Sequence, residues 1–226
     1  MSATSEEGAR RAYRSPQREA AARDTRRRIR EAARRLFLAD GYAATSVRAV
    51  AREAGVAEKT VYLQYDAKLA LLKDVVETAI VGDDDAVAAA DREWFRAVVA
   101  EPDPTRKLAL LADATAALHE RTGSVFAIAR GAASVDPDAA ALWSFGKQGH
   151  RADMSRLAES CARDGLLPEG RDVDWALSVL YVTLGPETWH LLRHELGQDA
   201  DGYRDWLGAT LTETFTTTGP RGQAPG

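Results

Sequence analysis

The chain has 226 residues, of which 45% are hydrophobic and 28% are charged, and its net charge is −4. This composition is ordinary for a globular protein, and the length allows one large domain or two small ones with a real core. A single cysteine, Cys161, excludes an internal disulfide framework and a multi-cysteine zinc site, and we expect it to be a small packing residue. No apolar run is long enough for a membrane span and the amino terminus does not resemble a signal peptide, so a cytoplasmic location is expected.

Charge is distributed unevenly along the chain. Residues 1–68 hold fifteen Lys and Arg against nine Asp and Glu, a net charge of +6, whereas the remainder holds fifteen against twenty-five, a net charge of −10. A basic head on an acidic body predicts that the head meets a polyanion and the body does not.

The coarse pattern predicts an all-α fold. Residues 1–22 are polar, rich in arginine and without apolar periodicity, so they are predicted to form a disordered basic arm, and residues 219–226 a flexible tail. Between them, alanine, leucine, arginine and glutamate dominate, and runs with alternating β-branched residues are absent. We expect a small amino-terminal unit over residues 23–68 and a larger helical body over residues 69–218.

The first predicted helix covers residues 24–39 and ends at Gly41. Thr45 is predicted to cap a second helix, which Gly55 closes in a left-handed conformation. A third helix follows over about residues 58–65, and a fourth begins near residue 68. Further helices are predicted over about residues 86–100, 105–120, 124–133, 138–164, 172–184, 186–196 and 200–215, with breaks at residues 82–85, 101–104, Gly123, Pro137, Pro168 with Gly170, Gly185-Pro186 and Gly197.

The second and third helices, joined by a short glycine turn, have the pattern of a helix-turn-helix. Val61 and Tyr65 are four residues apart, so they share the face that packs on the first helix. The other face, which includes Leu63, is polar and suits the major groove of B-DNA, while the starts of the second and fourth helices suit phosphates. The predicted DNA-binding residues are Thr45, Ser46, Lys59, Thr60, Tyr62, Gln64 and Lys68.

The segment RRIREAARRLFLADGYAATSVRAVAREAGVAEKTVYLQYDAKLALLKDVV carries a specific set of motifs. They include Gly41-Tyr42, Thr45-Ser46-Val47, Ala54-Gly55-Val56 and Thr60-Val61-Tyr62. With these motifs, the segment resembles the DNA-binding domain of the TetR family of bacterial transcriptional repressors. Two positions depart from that family's pattern: Ala57 stands where a capping serine is common, and Gln64 stands where a histidine is common.

The resemblance implies a homodimer in which each subunit places its third helix in the major groove of a palindromic operator. It also implies that a small molecule bound in the carboxy-terminal body shifts the spacing of the two heads and releases the DNA. The carboxy-terminal third resembles the paired interface helices of some members. Its predicted dimer-interface residues are Trp175, Leu180, Trp189, Leu192, Trp206, Leu207 and Leu211, with the alternative that they close each subunit's own core.

An aromatic-lined pocket with a few polar groups would suit a small, mostly apolar effector. The candidate ligand-binding residues are Thr115, His119, Phe126, Arg130, Trp143 and Trp175, and the alternative is that these aromatic residues are core. His190 and His194 could share a metal, but they are more typical of surface or interface histidines. No phosphate loop, GxSxG elbow or HExxH motif is present, so neither a cofactor nor catalysis is expected.

The predicted function is a sequence-specific repressor that a small-molecule effector releases from its operator. The alternatives are a helical binding protein or enzyme without specific DNA binding, a non-specific DNA-coating protein, and an activator of the same fold. Some of the first-helix residues Arg26, Arg27, Arg28 and Arg30 should approach phosphates. The arm residues Arg10, Arg11, Arg14, Arg18 and Arg23 would either enter the minor groove or form a weakly binding tail.

Overall fold

The computed structural model describes the backbone of residues 3–81 and 93–216, and the side chains of residues 17–80 and 93–216. In these ranges the chain is built from helices and loops without a β-strand, which confirms the all-α prediction. It divides into two compact units, Met1–Val75 and Val76–Gly226. The predicted break at residues 82–85, the start of the helix predicted from residue 86, and the predicted tail at 219–226 lie outside the described residues. None of the described helices is both long and apolar enough to cross a membrane.

The amino-terminal unit contains α1 (Ala3–Ala44), α2 (Val47–Ala54), α3 (Glu58–Gln64) and the start of α4 (Lys68–Val81). Helix α1 begins well before residue 24, where the sequence analysis starts it, so the backbone of the predicted arm is helical from Ala3. The exposed stretch at residues 17–24 is rich in alanine, arginine and glutamate, whose intrinsic helix propensity favours continuation without tertiary contacts. At the other end, Gly41 leaves helical geometry with φ 80° and ψ 166°, where the break was predicted.

The amino-terminal unit extends seven residues beyond the predicted boundary at residue 68. Leu71, Leu72 and Val75 on the first two turns of α4 are buried. Asp74, on the same turns, accepts a hydrogen bond from Arg26 of α1 at 3.0 Å. These turns of α4 therefore belong structurally to the amino-terminal unit.

The carboxy-terminal unit contains α5 (Glu93–Ala100), α6 (Pro104–Ala133), α7 (Pro137–Arg163), α8 (Val173–Thr183), α9 (Pro186–His190) and α10 (Ala200–Thr216). A π-helical turn, Leu191–Glu195, continues α9, and the Leu196 amide donates to the Leu191 carbonyl at 2.9 Å. Two helices predicted over residues 105–133 form the single helix α6. Gly123 does not break it because the ring of Trp189 packs there, and a Cβ at Gly123 would lie 2.3 Å from that ring.

The core of the carboxy-terminal unit lies where α6, α7, α8 and α10 pack together. It is apolar, includes the buried Cys161 as expected, and excludes water from most of these helices' inner faces. Burial raises the pKa of the Cys161 thiol to about 11, so the thiol is neutral at physiological pH. The largest fully buried side chains of this core are Leu108, Leu111, Leu157, Leu180, Tyr203, Leu207 and Leu211.

One charged group, Lys107, is buried in this unit and is only 1% exposed. Its ammonium donates to the Ser160 hydroxyl at 2.6 Å, to the Val99 carbonyl at 3.3 Å and to the Asp164 carboxylate. The Ser160 hydroxyl in turn donates to the Val99 carbonyl at 2.9 Å. This network joins the end of α5, the start of α6 and the end of α7, and it satisfies a charge that would otherwise be costly to bury.

Candidate functional sites

The start of α2 is capped by Ser46 and not by Thr45, which corrects the sequence prediction. The Ser46 hydroxyl accepts from the Ala49 amide at 3.1 Å. Thr45 is buried, and its hydroxyl donates to the Gly41 carbonyl at 2.8 Å, where it closes the end of α1. The exposed Ser46 therefore presents its side chain at this helix start, and Thr45 does not.

The turn between α2 and α3 has the predicted left-handed glycine, with Gly55 at φ 65° and ψ 38°. Arg28 of α1 supports the turn from behind, and its guanidinium donates to the Ala54 carbonyl at 2.6 Å. A Cβ at Gly55 would lie 3.1 Å from that guanidinium, so both the backbone conformation and the space favour glycine.

Helix α3 buries one face and exposes the other. Val61 and Tyr65 are buried, as predicted, while Leu63 is 74% exposed. Lys59, Tyr62 and Gln64 make no side-chain hydrogen bond or ion pair with any other residue described here. Ala57 gives α3 no side-chain cap, in agreement with the departure noted in the sequence. Of the predicted reading face, Lys59, Tyr62 and Leu63 are exposed, whereas Thr60 and Gln64 are half-buried. The polar groups of Lys59, Tyr62 and Gln64 are not used to stabilise the fold.

Two exposed cations lie on α2, the helix that precedes α3, and the sequence analysis did not include them. Arg48 and Arg52 are four residues apart and exposed, so they share one side of the helix. Within the described ranges, neither guanidinium has an ion-pair or hydrogen-bond partner. The sequence does indicate this pair, since two arginines four residues apart precede the glycine turn.

The end of α3 is held by a network around Asp74 of α4. The Tyr65 hydroxyl and the Arg26 guanidinium both donate to this carboxylate, and the Arg26 guanidinium lies 5.1 Å from the Tyr65 ring centroid. Burial, together with the hydrogen bond to Asp74, raises the pKa of Tyr65. This network fixes where α3 ends relative to α1 and α4.

The first-helix arginines predicted to approach phosphates are engaged inside the unit. Arg26 and Arg30 face Asp74, with nitrogen–oxygen distances of 3.0 Å and 3.8 Å. Arg27 pairs with Asp24 and Glu31 on its own helix. Together with Arg28 at the turn, these residues make contacts inside the head in the described structure, and their approach to phosphates stays a prediction. Arg18 and Arg23 are exposed, and the side chains of Arg10, Arg11 and Arg14 lie outside those described.

Lys68 is half-buried and bonded within the head. Its ammonium donates to the Tyr42 carbonyl at 2.9 Å and lies 4.2 Å from the Tyr42 ring centroid. The contact ties the start of α4 to the end of α1. An ammonium has three donors, so a phosphate contact is compatible with this arrangement and stays a prediction.

An open groove lies in the carboxy-terminal unit between α6, α7 and α9, and the space that protein atoms enclose in it is only about 10 Å³. Phe126 and Arg130 of α6, Trp143 of α7 and His190 of α9 line it, together with Glu187. The rings of Phe126 and Trp143 meet edge to face, with centroids 6.3 Å apart. Three of the six predicted ligand-binding residues, Phe126, Arg130 and Trp143, are therefore brought together.

The negative charge of Glu187 in this groove is balanced by Lys147. Lys147 donates to both of its carboxylate oxygens, at 2.9 Å and 3.0 Å. Burial by itself would raise the pKa of Glu187, but the hydrogen bonds and the charge of Lys147 outweigh it and leave the pKa lowered. His190 and His194 have ring centroids 5.0 Å apart. Over the described residues, no three His, Cys, Asp or Glu side chains converge as a metal site would require.

The amino-terminal unit matches a known protein family by sequence. Residues 29–75 match the sequence profile described as bacterial regulatory proteins, tetR family. This stretch contains the helix-turn-helix and the turns of α4 that belong to the amino-terminal unit. No curated protein matches the chain significantly.

Solved structures match most of the chain. NalD, the secondary repressor of the MexAB-OprM multidrug efflux pump in Pseudomonas aeruginosa, is 20% identical with a TM-score of 0.63, covering 85% of this chain and 97% of that one. PfmR, a TetR-family transcriptional regulator from Thermus thermophilus, is 21% identical with a TM-score of 0.62, and the match covers 86% of this chain and 100% of that one. FadR from Bacillus subtilis, in complex with stearoyl-CoA, is 17% identical with a TM-score of 0.64, and the match covers 84% of this chain and 97% of that one. Residues 29–75 thus match the tetR-family profile over the helix-turn-helix, and the chain shares its fold with these solved regulators. At these identities, the structural likeness establishes the fold alone.

The other residues predicted for a TetR-family effector pocket lie away from the groove. His119 is buried, and its Nδ1 lies 2.7 Å from the Tyr203 hydroxyl. Thr115 is also buried, one turn earlier on α6, and Trp175 packs edge to face on Phe215, with ring centroids 5.6 Å apart. These side chains therefore stabilise the helical body and do not line the described groove.

Lowering the pH from 7 to 5 is expected to destabilise the wild-type protein by about 2 kcal/mol more than the His119→Gln variant. Burial lowers the pKa of His119 to about 3, so the folded chain leaves this imidazole neutral in that window. The unfolded chain binds a proton there below about pH 6.5, so stability is lost as the pH falls. Urea unfolding at both pH values measures the difference. Tyr203→Phe removes the same hydrogen bond without removing the imidazole, so it should keep the wild-type pH dependence. Equal pH dependence in the wild type and His119→Gln would contradict this account.

The residues predicted for a TetR-family dimer interface mostly lie inside the subunit. Leu180, Trp189, Leu192, Leu207 and Leu211 are each at most 7% exposed, and they belong to the core. Trp175 and Trp206 are half-buried against the same core. The structure therefore favours the alternative that these residues close the subunit's own core. Apolar periodicity in the sequence predicts that a residue is buried, but it does not show whether the same subunit or a second one buries it.

Proposed function

We propose that this chain is a transcriptional repressor that binds operator DNA as a homodimer and leaves it when a small, mostly apolar effector binds. In this proposal it acts in the cytoplasm and catalyses no reaction. The observation that carries the proposal is the exposed face of α3, where Lys59 and Gln64 have no internal partner in the described structure. NalD, which shares the fold, is a repressor, and this supports a repressor role for the present chain.

Helix α3 would read bases directly from the major groove. Lysine donates to guanine O6 and N7, and glutamine pairs with adenine N6 and N7. The exposed side chain of Leu63 would contact a thymine methyl group. This contact would remove an apolar side chain from water. Ser46, Arg48 and Arg52 of α2 would contact phosphates, which orient the head but carry no sequence information.

A second copy of the chain would cover an apolar face formed by α7 and α8. Phe145 of α7 is 74% exposed and Val182 of α8 is 66% exposed, and these two helices pack against each other. Exposed aromatic residues are favoured anchors at protein interfaces. Paired copies would bring two α3 helices to a two-fold symmetric operator with half-sites one helical turn apart.

Release would follow from a two-state equilibrium. An effector that binds the DNA-incompetent state more tightly lowers DNA affinity, and DNA lowers effector affinity by the same factor. The groove on α6, α7 and α9 is the candidate effector site in the described structure. FadR, which shares the fold, was solved with stearoyl-CoA, and this supports a ligand-binding role for the helical body.

Selection of bound sequences from a randomised duplex pool tests this function. A short inverted repeat, bound with an affinity that falls steeply as salt increases, is the expected result. Enrichment without a consensus would favour DNA coating, and the absence of any bound duplex would favour a binding protein or enzyme. The position of the repeat relative to the promoter would separate repression from activation.

Lys59→Ala and Gln64→Ala are each expected to relax the preference at one base position, at a cost of about 1–3 kcal/mol on the preferred duplex. Lys68→Ala should instead weaken all duplexes alike, because this residue supports the head and would contact only phosphate. Competition binding between the selected duplex and single-base variants measures both effects. A changed base preference in Lys68→Ala, with none in the other two variants, would reverse this assignment of contacts.

A further inference from the structure

We propose that the groove between α6, α7 and α9 binds small aromatic carboxylates. This inference rests on the proposed function in one respect, because it names the chemical class of the effector.

One cation that lines the groove, Arg130, has no partner in the described structure. Arg130 is exposed and makes no hydrogen bond or ion pair with the described part of the chain. Nearby cations of the same unit are engaged: Lys147 with Glu187, and Arg193 with Glu120 at 3.0 Å. Because Lys147 already neutralises Glu187, a ligand carboxylate would meet the charge of Arg130 and could accept two hydrogen bonds from its guanidinium.

A second polar group of the groove also lacks a partner. The Nδ1 atom of His190 is buried and has no hydrogen bond. Buried polar atoms are rarely left unpaired, because an unmade hydrogen bond costs free energy. His190 directly precedes the π-helical turn Leu191–Glu195, and such turns are frequent at functional sites. A carboxylate held by Arg130 could accept a hydrogen bond from the Nδ1–H tautomer of His190.

The rings of the groove suit an aromatic body on the ligand. Phe126 and Trp143 lie edge to face, and a third ring can extend this arrangement in an offset or edge-to-face geometry. Phe126 and Arg130 are four residues apart on α6, so they lie on one face with about 5–6 Å between their Cβ atoms. That spacing matches a ligand whose ring contacts Phe126 while its acid group reaches Arg130.

The groove is open to solvent, and the space that protein atoms enclose in it is only about 10 Å³, roughly that of one water molecule. A ligand would therefore lie across the mouth of the groove, against the half-buried rings of Phe126 and Trp143. A single flat ring suits this shape better than an acyl chain, which needs an enclosed channel.

Isothermal titration calorimetry of the full-length protein with sodium benzoate, benzamide and sodium hexanoate tests the inference. Benzoate should bind ~tenfold more tightly than benzamide, equivalent to about 1.4 kcal/mol, because only the carboxylate can form a charge-assisted pair with Arg130. Benzoate should also bind more tightly than hexanoate, which has a carboxylate but no ring. Equal affinity for benzoate and benzamide, or no binding of any probe, would overturn the proposal.

Variants identify the site. Arg130→Gln should bring the benzoate and benzamide affinities to within about threefold of each other, and Trp143→Leu should weaken both aromatic probes. Arg121→Gln is the matched control, since Arg121 is exposed on the same helix but does not line the groove. An unchanged preference for benzoate in Arg130→Gln would contradict the assignment of the cation.

The binding experiment is performed without DNA, so its failure is separable from failure of the proposed function. A protein that selects an inverted repeat but does not prefer benzoate would refute this inference alone. A protein that binds benzoate through Arg130 but selects no DNA sequence would refute the repressor function alone.

Discussion

Leu63→Glu is expected to weaken binding to the selected operator at least ~100-fold, equivalent to about 2.7 kcal/mol. Leu63 is 74% exposed in the middle of the face of α3 that would enter the major groove. A carboxylate there would lose the thymine contact and oppose the negatively charged duplex, and like-charge juxtaposition at an interface costs several kcal/mol. Fluorescence anisotropy with a labelled duplex at fixed salt measures the change.

Leu38→Glu is the matched control for this experiment. Leu38 is an exposed leucine on α1 of the same unit, so the variant carries the same change of charge away from α3. It should reduce affinity less than ~tenfold, while both variants should keep wild-type unfolding curves, because neither side chain is buried. Equal losses in the two variants would mean that net charge, and not the α3 face, governs DNA binding.

Lys107→Met is expected to lower the free energy of unfolding of the carboxy-terminal unit by about 2 kcal/mol. Methionine fills a similar volume but removes the hydrogen bonds of the buried ammonium, so the Asp164 carboxylate and the Ser160 hydroxyl keep only Arg163 as a cationic partner. The midpoint of thermal unfolding should fall by roughly 4–8 °C for a unit of this size. Urea and thermal unfolding followed by circular dichroism measure both quantities.

Lys147→Met serves as the control for a more exposed ion pair. Lys147 pairs with Glu187 at 2.9 Å, and both side chains are partly solvated. The loss should stay within about 1 kcal/mol, as for other surface pairs. If Lys147→Met destabilised the protein as much as Lys107→Met, burial would not be the source of the larger effect.

The head could be predicted closely because its signals are local. Spacings of a few residues predict the left-handed turn at Gly55 and the buried face of Val61 and Tyr65, and the structure has all three features. The sequence predicts the wrong cap, Thr45, because adjacent threonine and serine residues both suit that position. Only the fold places the Thr45 hydroxyl on the Gly41 carbonyl.

Features that depend on distant partners were not predictable from the sequence. Lys107 and Asp164 are 57 residues apart, and nothing in either local pattern indicates the ion pair. Gly123 has the local character of a helix breaker, yet the ring of Trp189 gives it a packing role. Long-range packing overrides local propensity in such cases.

The candidate groove was predictable in part. Phe126 and Arg130 share a helix face at a spacing visible in the sequence, and Trp143 is predicted to line the same pocket. His119 is predicted as a polar partner of these residues, but its own hydrogen-bond partner, Tyr203, is 84 residues away. Sequence patterns therefore indicated which side chains carry chemistry but not which of them converge.

Methylation interference on the selected duplex tests most directly whether α3 reads the major groove. Dimethyl sulfate modifies guanine N7 in the major groove and adenine N3 in the minor groove. We predict that guanine N7 methylation blocks binding in two clusters, one per half-site and one helical turn apart, and that Lys59→Ala removes the interference at one guanine per cluster. Binding that tolerates every guanine N7 methylation, and is blocked only by adenine N3 methylation, would contradict the account.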